Sequence, residues 1–114
     1  MVVHEIKRHS EHSQAEFDAM IKAHKYVVVD SYATWCGPCR VIGPVFEKFS
    51  ENYPQIYFAK FDTDEVQSLS EHLKIRAMPT FTFFHDGNKL DQVTGASPDK
   101  LENTIKTIFG NLES

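Results

Sequence analysis

The sequence predicts an α/β fold, a mixed five-stranded central sheet flanked by four helices, within one domain spanning residues 1–114. Three observations point there. Runs of β-branched and aromatic residues at 26–32 and 56–62 alternate with segments whose apolar residues recur at helical spacing. Residues 80–84 lead through an Asp86-Gly87 turn straight into a second strand, so a hairpin completes the sheet. The resulting order, βαβαβα then ββα, places helices on both faces of the sheet.

Each element carries its own signal. Residues 2–6 alternate briefly and read as a short edge strand. Ser13-Gln14-Ala15-Glu16 matches a capping box ahead of Phe17, Met20 and Ile21, which predicts a helix over 13–24. The unbroken Val27-Val28-Val29 marks residues 26–32 as the central strand. Val41, Ile42, Val45, Phe46 and Phe49 predict a helix over 36–52, which Tyr53-Pro54 ends. Within it Pro44 removes a hydrogen bond and should introduce a kink, softened by Gly43. After the third strand at 56–62, Thr63 or Asp64 is expected to cap a short polar helix over 65–72. Thr80-Phe81-Thr82-Phe83-Phe84 alternates as a strand should, and 88–94 returns antiparallel. Ser97-Pro98 then supplies a cap and a first-turn proline for a helix carrying Leu101, Ile105, Ile108 and Phe109.

Composition narrows the function. At 41% hydrophobic and 25% charged, the chain reads as ordinary globular material. A formal net charge of −4 disfavours a nucleic-acid partner. No apolar run approaches a membrane span. The segment Met1-Val2-Val3-His4-Glu5-Ile6-Lys7 lacks the basic start and long apolar stretch of a signal peptide, so a reducing, cytoplasmic setting is expected.

The chemistry concentrates in Trp35-Cys36-Gly37-Pro38-Cys39, which holds the only tryptophan and the only two cysteines. These residues sit where the central strand hands over to an amphipathic helix. A helix N-terminus offers unpaired N–H groups and the positive end of the helix dipole. A thiolate there is stabilised relative to the thiol, which marks Cys36 as the attacking sulfur. Residues three apart share a helical face, so Cys39 is placed to close a disulfide with it. Gly37 accommodates the turn, and Pro38 needs no N–H partner in the first turn. A purely structural bridge is disfavoured, because so short a loop constrains the unfolded chain less than the roughly 3 kcal/mol of a 15-residue loop. Half a zinc site would need two further ligands, and no second Cys-x-x-C or His-x-x-x-His follows. Two inert buried cysteines fit poorly with the Gly-Pro and Trp around them. A redox dithiol is the reading that remains, with no cofactor and no metal.

Beyond the dithiol, Val-Val-Asp-x-x-Ala-x-Trp-Cys-Gly-Pro-Cys at 28–39, Ala-Lys-Phe-Asp at 59–62 and Ile-Arg-Ala-Met-Pro-Thr at 75–80 occur in order. Phe-His-Asp-Gly at 84–87 and Thr-Gly-Ala at 94–96 follow. With these motifs the chain resembles the thioredoxin family over essentially its whole length, its eukaryotic cytosolic members most of all. The resemblance implies the thioredoxin fold and several site residues. Taken alone, Asp30 reads as a surface carboxylate at a strand end; the resemblance implies instead a buried acid beneath Cys39, able to take a proton near neutral pH. Lys60 alone is a snorkelling lysine on a neighbouring strand; by resemblance it lies near Asp30 and modulates it. Pro79 by default would be a trans turn proline; by resemblance Met78-Pro79 is cis, packs against the sulfurs and leaves the Met78 backbone to pair with an extended substrate.

Trp35 beside Cys36 is expected to shield the thiolate and present a flat contact. Together with Gly37 and Pro38, it would border a substrate groove whose remaining wall is Thr94, Gly95 and Ala96. The histidines at 4, 9, 12, 24, 72 and 85 are scattered, and none is placed as a base. The acidic cluster Asp62, Asp64 and Glu65 reads as a solvated turn with a capping role. Two positions depart from the family pattern: Ser31 stands where many members carry phenylalanine, and Gly43 where alanine is common.

The expectation is therefore a general protein-disulfide reductase. Cys36 is its nucleophile, Cys39 its resolving thiol and Asp30 its proton acceptor, working through a mixed disulfide. Its expected partners are disulfide-containing target proteins and, by resemblance, an NADPH-dependent thioredoxin reductase, since the chain has no dinucleotide fingerprint of its own. An oxidase or isomerase would use the same fold, but the Gly-Pro pair argues against it. A redox-independent binding module on the same groove is the alternative. The apolar rim around Trp35 leaves a monomer or a weak dimer as the expected state.

Overall fold

The computed structural model describes residues 2–7 and 13–110. Its elements run β1 (Val3–Glu5), α1 (Ser13–Ala23), β2 (Tyr26–Tyr32), α2 (Gly37–Asn52), β3 (Tyr57–Asp62), α3 (Gln67–His72), β4 (Thr80–His85), β5 (Asn88–Thr94) and α4 (Pro98–Ile108). The five strands form one sheet in the order β1-β3-β2-β4-β5. β1, β3 and β2 are parallel, while β4 and β5 run antiparallel to their neighbours. The expected mixed sheet with four flanking helices is what the chain forms.

The two faces of the sheet follow from strand parity. Val28, Phe58, Phe81 and Phe83 pack with Ile42, Phe46 and Phe49 of α2 and with Leu101 and Ile105 of α4. Val27, Val29, Ala59 and Phe61 turn the other way, against Phe17 and Ile21 of α1 and Leu69 of α3. β2 lies in the middle of the sheet and is buried on both faces, which is why its sequence is a continuous apolar run rather than an alternation.

Three details depart from the sequence reading. Helix α2 begins at Gly37 with Cys36 as its N-cap, one residue later than expected. It continues through Pro44, which leaves the Arg40 carbonyl without its i+4 donor. The short helix α3 starts at Gln67 and is capped by neither Thr63 nor Asp64; its N-cap is Val66, with no side-chain hydrogen bond. The capping-box reading at the start of α1 depends on the Ser13 side chain, and that side chain, like His9 and His12, lies outside the described residues.

The turns do what their dihedrals demand. Asp86 (φ 52°) and Gly87 (φ 83°) both have positive φ, as a two-residue hairpin turn requires. α3 ends in a Schellman arrangement, with Lys74 N–H donating to Glu71 O (3.1 Å) and Ile75 N–H to Ser70 O (2.9 Å). Lys74, at φ 59°, occupies the left-handed position usually given to glycine.

Candidate active site

Strand β2 ends at Tyr32, and the chain reaches α2 through Ala33-Thr34-Trp35-Cys36. The Cys36 N–H donates to the Ala33 carbonyl at 3.1 Å, which seats Cys36 at the cap position. Its sulfur there accepts the Cys39 N–H at 3.2 Å. An N-cap serine or aspartate receives the same donor; here the acceptor is sulfur. The contact favours negative charge on Cys36 Sγ, and the helix dipole acts in the same direction.

Cys36 and Cys39 are bonded to one another, with their Cα atoms 5.3 Å apart. Each is 5% exposed. In the bonded state Cys36 is therefore buried. The two pack in a small cluster with Ala33, Tyr32 and Met78. Cys36 Sγ also lies 3.6 Å from the Met78 carbonyl oxygen.

The loop before β4 reaches the dithiol through Met78. The Met78–Pro79 peptide bond is cis, and Pro79 is buried. The Gly95 N–H donates to the Pro79 carbonyl at 2.9 Å, and Thr80 Oγ1 lies 3.1 Å from Thr94 Oγ1. These contacts tie the predicted wall residues Thr94 and Gly95 to the Met78-Pro79 loop. Gly95 has φ 113°, a conformation that side chains rarely adopt, so the position is glycine for a backbone reason. Ala96 packs against the main core. On the helix side Gly37 and Pro38 are exposed, and Trp35 stands out at 65% exposure.

The sequence reading missed what holds that indole. Trp35 Nε1 donates to Asp64 Oδ2 at 2.8 Å, twenty-nine residues along the chain. Asp62 Oδ1 in turn accepts the Asp64 N–H at 2.9 Å. The acidic cluster is therefore more than a solvated turn. Asp64 lies two residues before the N-cap of α3, and its carboxylate is engaged with Trp35 instead. No local pattern could have revealed the pairing.

Asp30 is 3% exposed, its Oδ1 buried with no hydrogen-bond partner among the described residues. Burial pushes its pKa from the ordinary 3.8 up to about 7; the charge of Lys60 opposes the rise and that of Glu5 adds to it. Asp30 and Lys60 are register partners on β2 and β3, as neighbours should be. The Lys60 ammonium nevertheless lies 3.8 Å from Glu5 Oε1 and 3.9 Å from Glu47 Oε1, and no ion pair joins it to Asp30 among the described residues. Of the described histidines, His24 stacks on Tyr57 and His85 on Tyr26, away from the dithiol. No cluster of three or more metal-ligating side chains occurs among the described residues.

A family model described as Thioredoxin matches residues 8–107. The chain belongs to the thioredoxin family. It is 50% identical over 93 residues to a thioredoxin of Coprinus comatus, covering 80% of this chain and 88% of that protein. Among solved structures, the Malassezia sympodialis thioredoxin superposes with a TM-score of 0.82 at 42% identity, covering 94% of this chain and 93% of the other. An oxidised mitochondrial thioredoxin 3 of Saccharomyces cerevisiae gives 0.84 at 35% identity, covering 92% and 94%. The sheet and helices described above are the thioredoxin fold. With its bonded cysteine pair, this family member is a thiol–disulfide oxidoreductase.

Proposed function

We propose that the chain is a general protein-disulfide reductase. The observation that carries this reading is the bonded Cys36–Cys39 pair, with Cys36 Sγ at the N-cap of α2 receiving the Cys39 N–H. In the reduced protein the Cys36 thiolate attacks a target disulfide. A Cys36–target bond forms, the target's own S–S bond breaks, and its second sulfur leaves as a thiolate. The Cys39 thiol then gives its proton to Asp30 and attacks Cys36. The Cys36–Cys39 bond forms, the bond to the target breaks, and two electrons have passed to the target.

The surrounding residues hold the target. An extended segment pairs with the Met78 backbone beside Pro79, between Trp35, Gly37 and Pro38 on one side and Thr94, Gly95 and Ala96 on the other. Lys60 modulates Asp30. The oxidised protein is returned to the dithiol by an NADPH-dependent thioredoxin reductase, with a monomer or weak dimer as the working unit. No helix among the described residues is long and apolar enough to cross a membrane. The cytoplasm is the compartment we assign, although one structural neighbour is a mitochondrial protein.

The test is reductase-coupled reduction of insulin disulfides. Cys36→Ser should abolish turnover, and Cys39→Ser should accumulate a covalent adduct with the target that thiol reagents release. A Cys39→Ser protein that turns over normally without an adduct would remove the resolving role. The exposure of Trp35 (65%) and Val41 (70%) supports a second reading, a groove that docks partners whatever the redox state. A double Cys→Ser variant that still captures the parent's targets would favour it.

A further inference from the structure

Strands β1, β3 and β2 lie side by side, and their registers align one charged residue from each. Glu5 is opposite Lys60, and Lys60 is opposite Asp30. Register partners project to one face of a sheet. Here that face lies under α2, because Val3, Phe58 and Val28, two residues earlier on each strand, belong to the cluster around Ile42 and Phe46. From α2 itself Glu47 reaches the Lys60 ammonium, at 3.9 Å, while Glu5 holds the same nitrogen at 3.8 Å.

The second oxygen of Glu5 is also engaged. Oε2 accepts the Tyr32 hydroxyl at 2.7 Å, two residues beyond Asp30 on the same face of β2. The Lys60 ammonium lies 5.8 Å above that tyrosine ring. Glu5 thus holds both the lysine and the tyrosine that flank Asp30. On the other side of β2, β4 brings the uncharged Phe81 opposite Asp30. Asp62 and Glu65 act by charge on Tyr32, whose hydroxyl burial and Glu5 keep protonated.

We propose that Glu5 is a positioning residue for the resolving half of the exchange, holding Lys60 off Asp30 so that the acid stays basic enough to take the Cys39 proton. The proposal rests on the reading that Asp30 accepts that proton. In the step concerned the Cys39 S–H bond breaks and the proton moves to a carboxylate oxygen of Asp30. The electron pair stays on Cys39 Sγ, which bonds to Cys36 as the target sulfur leaves with the pair of the broken bond. A lysine free to lie against Asp30 would stabilise the carboxylate and weaken it as a base. The negative charge of Glu5 acts in the opposite sense, favouring the protonated acid.

Two midpoints test this: the carboxyl NMR titration of Asp30 in the disulfide form, where the cysteines do not titrate, and the pH of half-maximal target release in single-turnover reactions. Glu5→Gln keeps an oxygen for the Tyr32 hydroxyl and removes the charge, so both midpoints should fall together. Glu5→Asp should return them toward the parent, and Glu5→Ala, which also removes the charge, should move them the same way as Glu5→Gln if that variant folds poorly. An Asp30 midpoint that stays at the parent's value in Glu5→Gln and Glu5→Ala overturns the proposal. So does a release rate that falls evenly at every pH. Asp30→Asn separates the two readings. If its release keeps the parent's pH profile, Asp30 is not the acceptor and both readings fall. If that profile flattens while Glu5→Gln leaves the parent's unmoved, only the part assigned to Glu5 falls.

Discussion

Ser31 is fully buried on the α1 and α3 side of β2, and its Oγ has no partner among the described residues. Its register partners are Phe61 and Thr80, and the Thr80 hydroxyl is already given to the Ala77 carbonyl. A buried hydroxyl left unpaired costs about 1–3 kcal/mol, since the water it lost is not replaced. Ser31→Ala should therefore stabilise the protein by about 1 kcal/mol, the lost oxygen leaving little empty volume. Urea denaturation checks it: the midpoint should rise with the slope unchanged. A lower midpoint would mean that the hydroxyl is satisfied after all. Seen from the sequence, Ser31 stood out as a departure from the phenylalanine that many family members carry there. Only the packed strand shows that nothing compensates it.

At the scale of the element, two helices carry backbone choices that can be improved without touching the site. Gly43 lies inside α2, and a Cβ built there meets nothing within 4 Å. Gly43→Ala should stabilise by about 0.5–1 kcal/mol, because alanine loses less backbone freedom on folding. Lys74 offers the reverse exchange. Its φ of 59° is strained for a side chain and free for glycine. Lys74→Gly should raise stability by about 0.5–1 kcal/mol, the relief of strain exceeding the extra freedom glycine gives the unfolded chain. Thermal unfolding should register either change as a rise of about 4 °C per kcal/mol, and a fall for Lys74→Gly would show that its side chain does more than tolerate the turn. Element positions were legible because the apolar spacing of α2 and the Asp86-Gly87 turn are local patterns. The cap of α3 was not. Thr63 and Asp64 both looked like caps, but the Asp64 carboxylate is drawn to Trp35, a partner that only the folded chain brings near. The row Glu5–Lys60–Asp30 was hidden for a related reason: it depends on which strands lie side by side, and β1 is separated from β3 in sequence by two helices and β2.

For the whole molecule, Asp30 sets a trade between stability and reactivity that has a definite sign. Its pKa is about 7 in the folded protein against an ordinary 3.8. Between those values the native state holds a proton that the unfolded chain has released, so stability falls as pH rises through that window. The contribution is complete below the unfolded value, lost progressively up to about pH 7, and flat beyond. Asp30→Asn removes the charge that the interior resists, so the variant should be more stable than the parent above neutrality, by a few kcal/mol. The advantage should shrink steadily as pH falls through that window and be gone below the unfolded value, where the parent's acid is protonated in both states. Measured on the disulfide form, the comparison excludes the thiols, and subtracting one curve from the other excludes every group the two proteins share. An advantage independent of pH would assign the gain to packing and return Asp30 to an ordinary carboxylate. A gap that opens between about pH 4 and 7 would identify the buried charge as its source. The fold then bears that cost in the pH range where a carboxylate with this pKa can take a proton from Cys39.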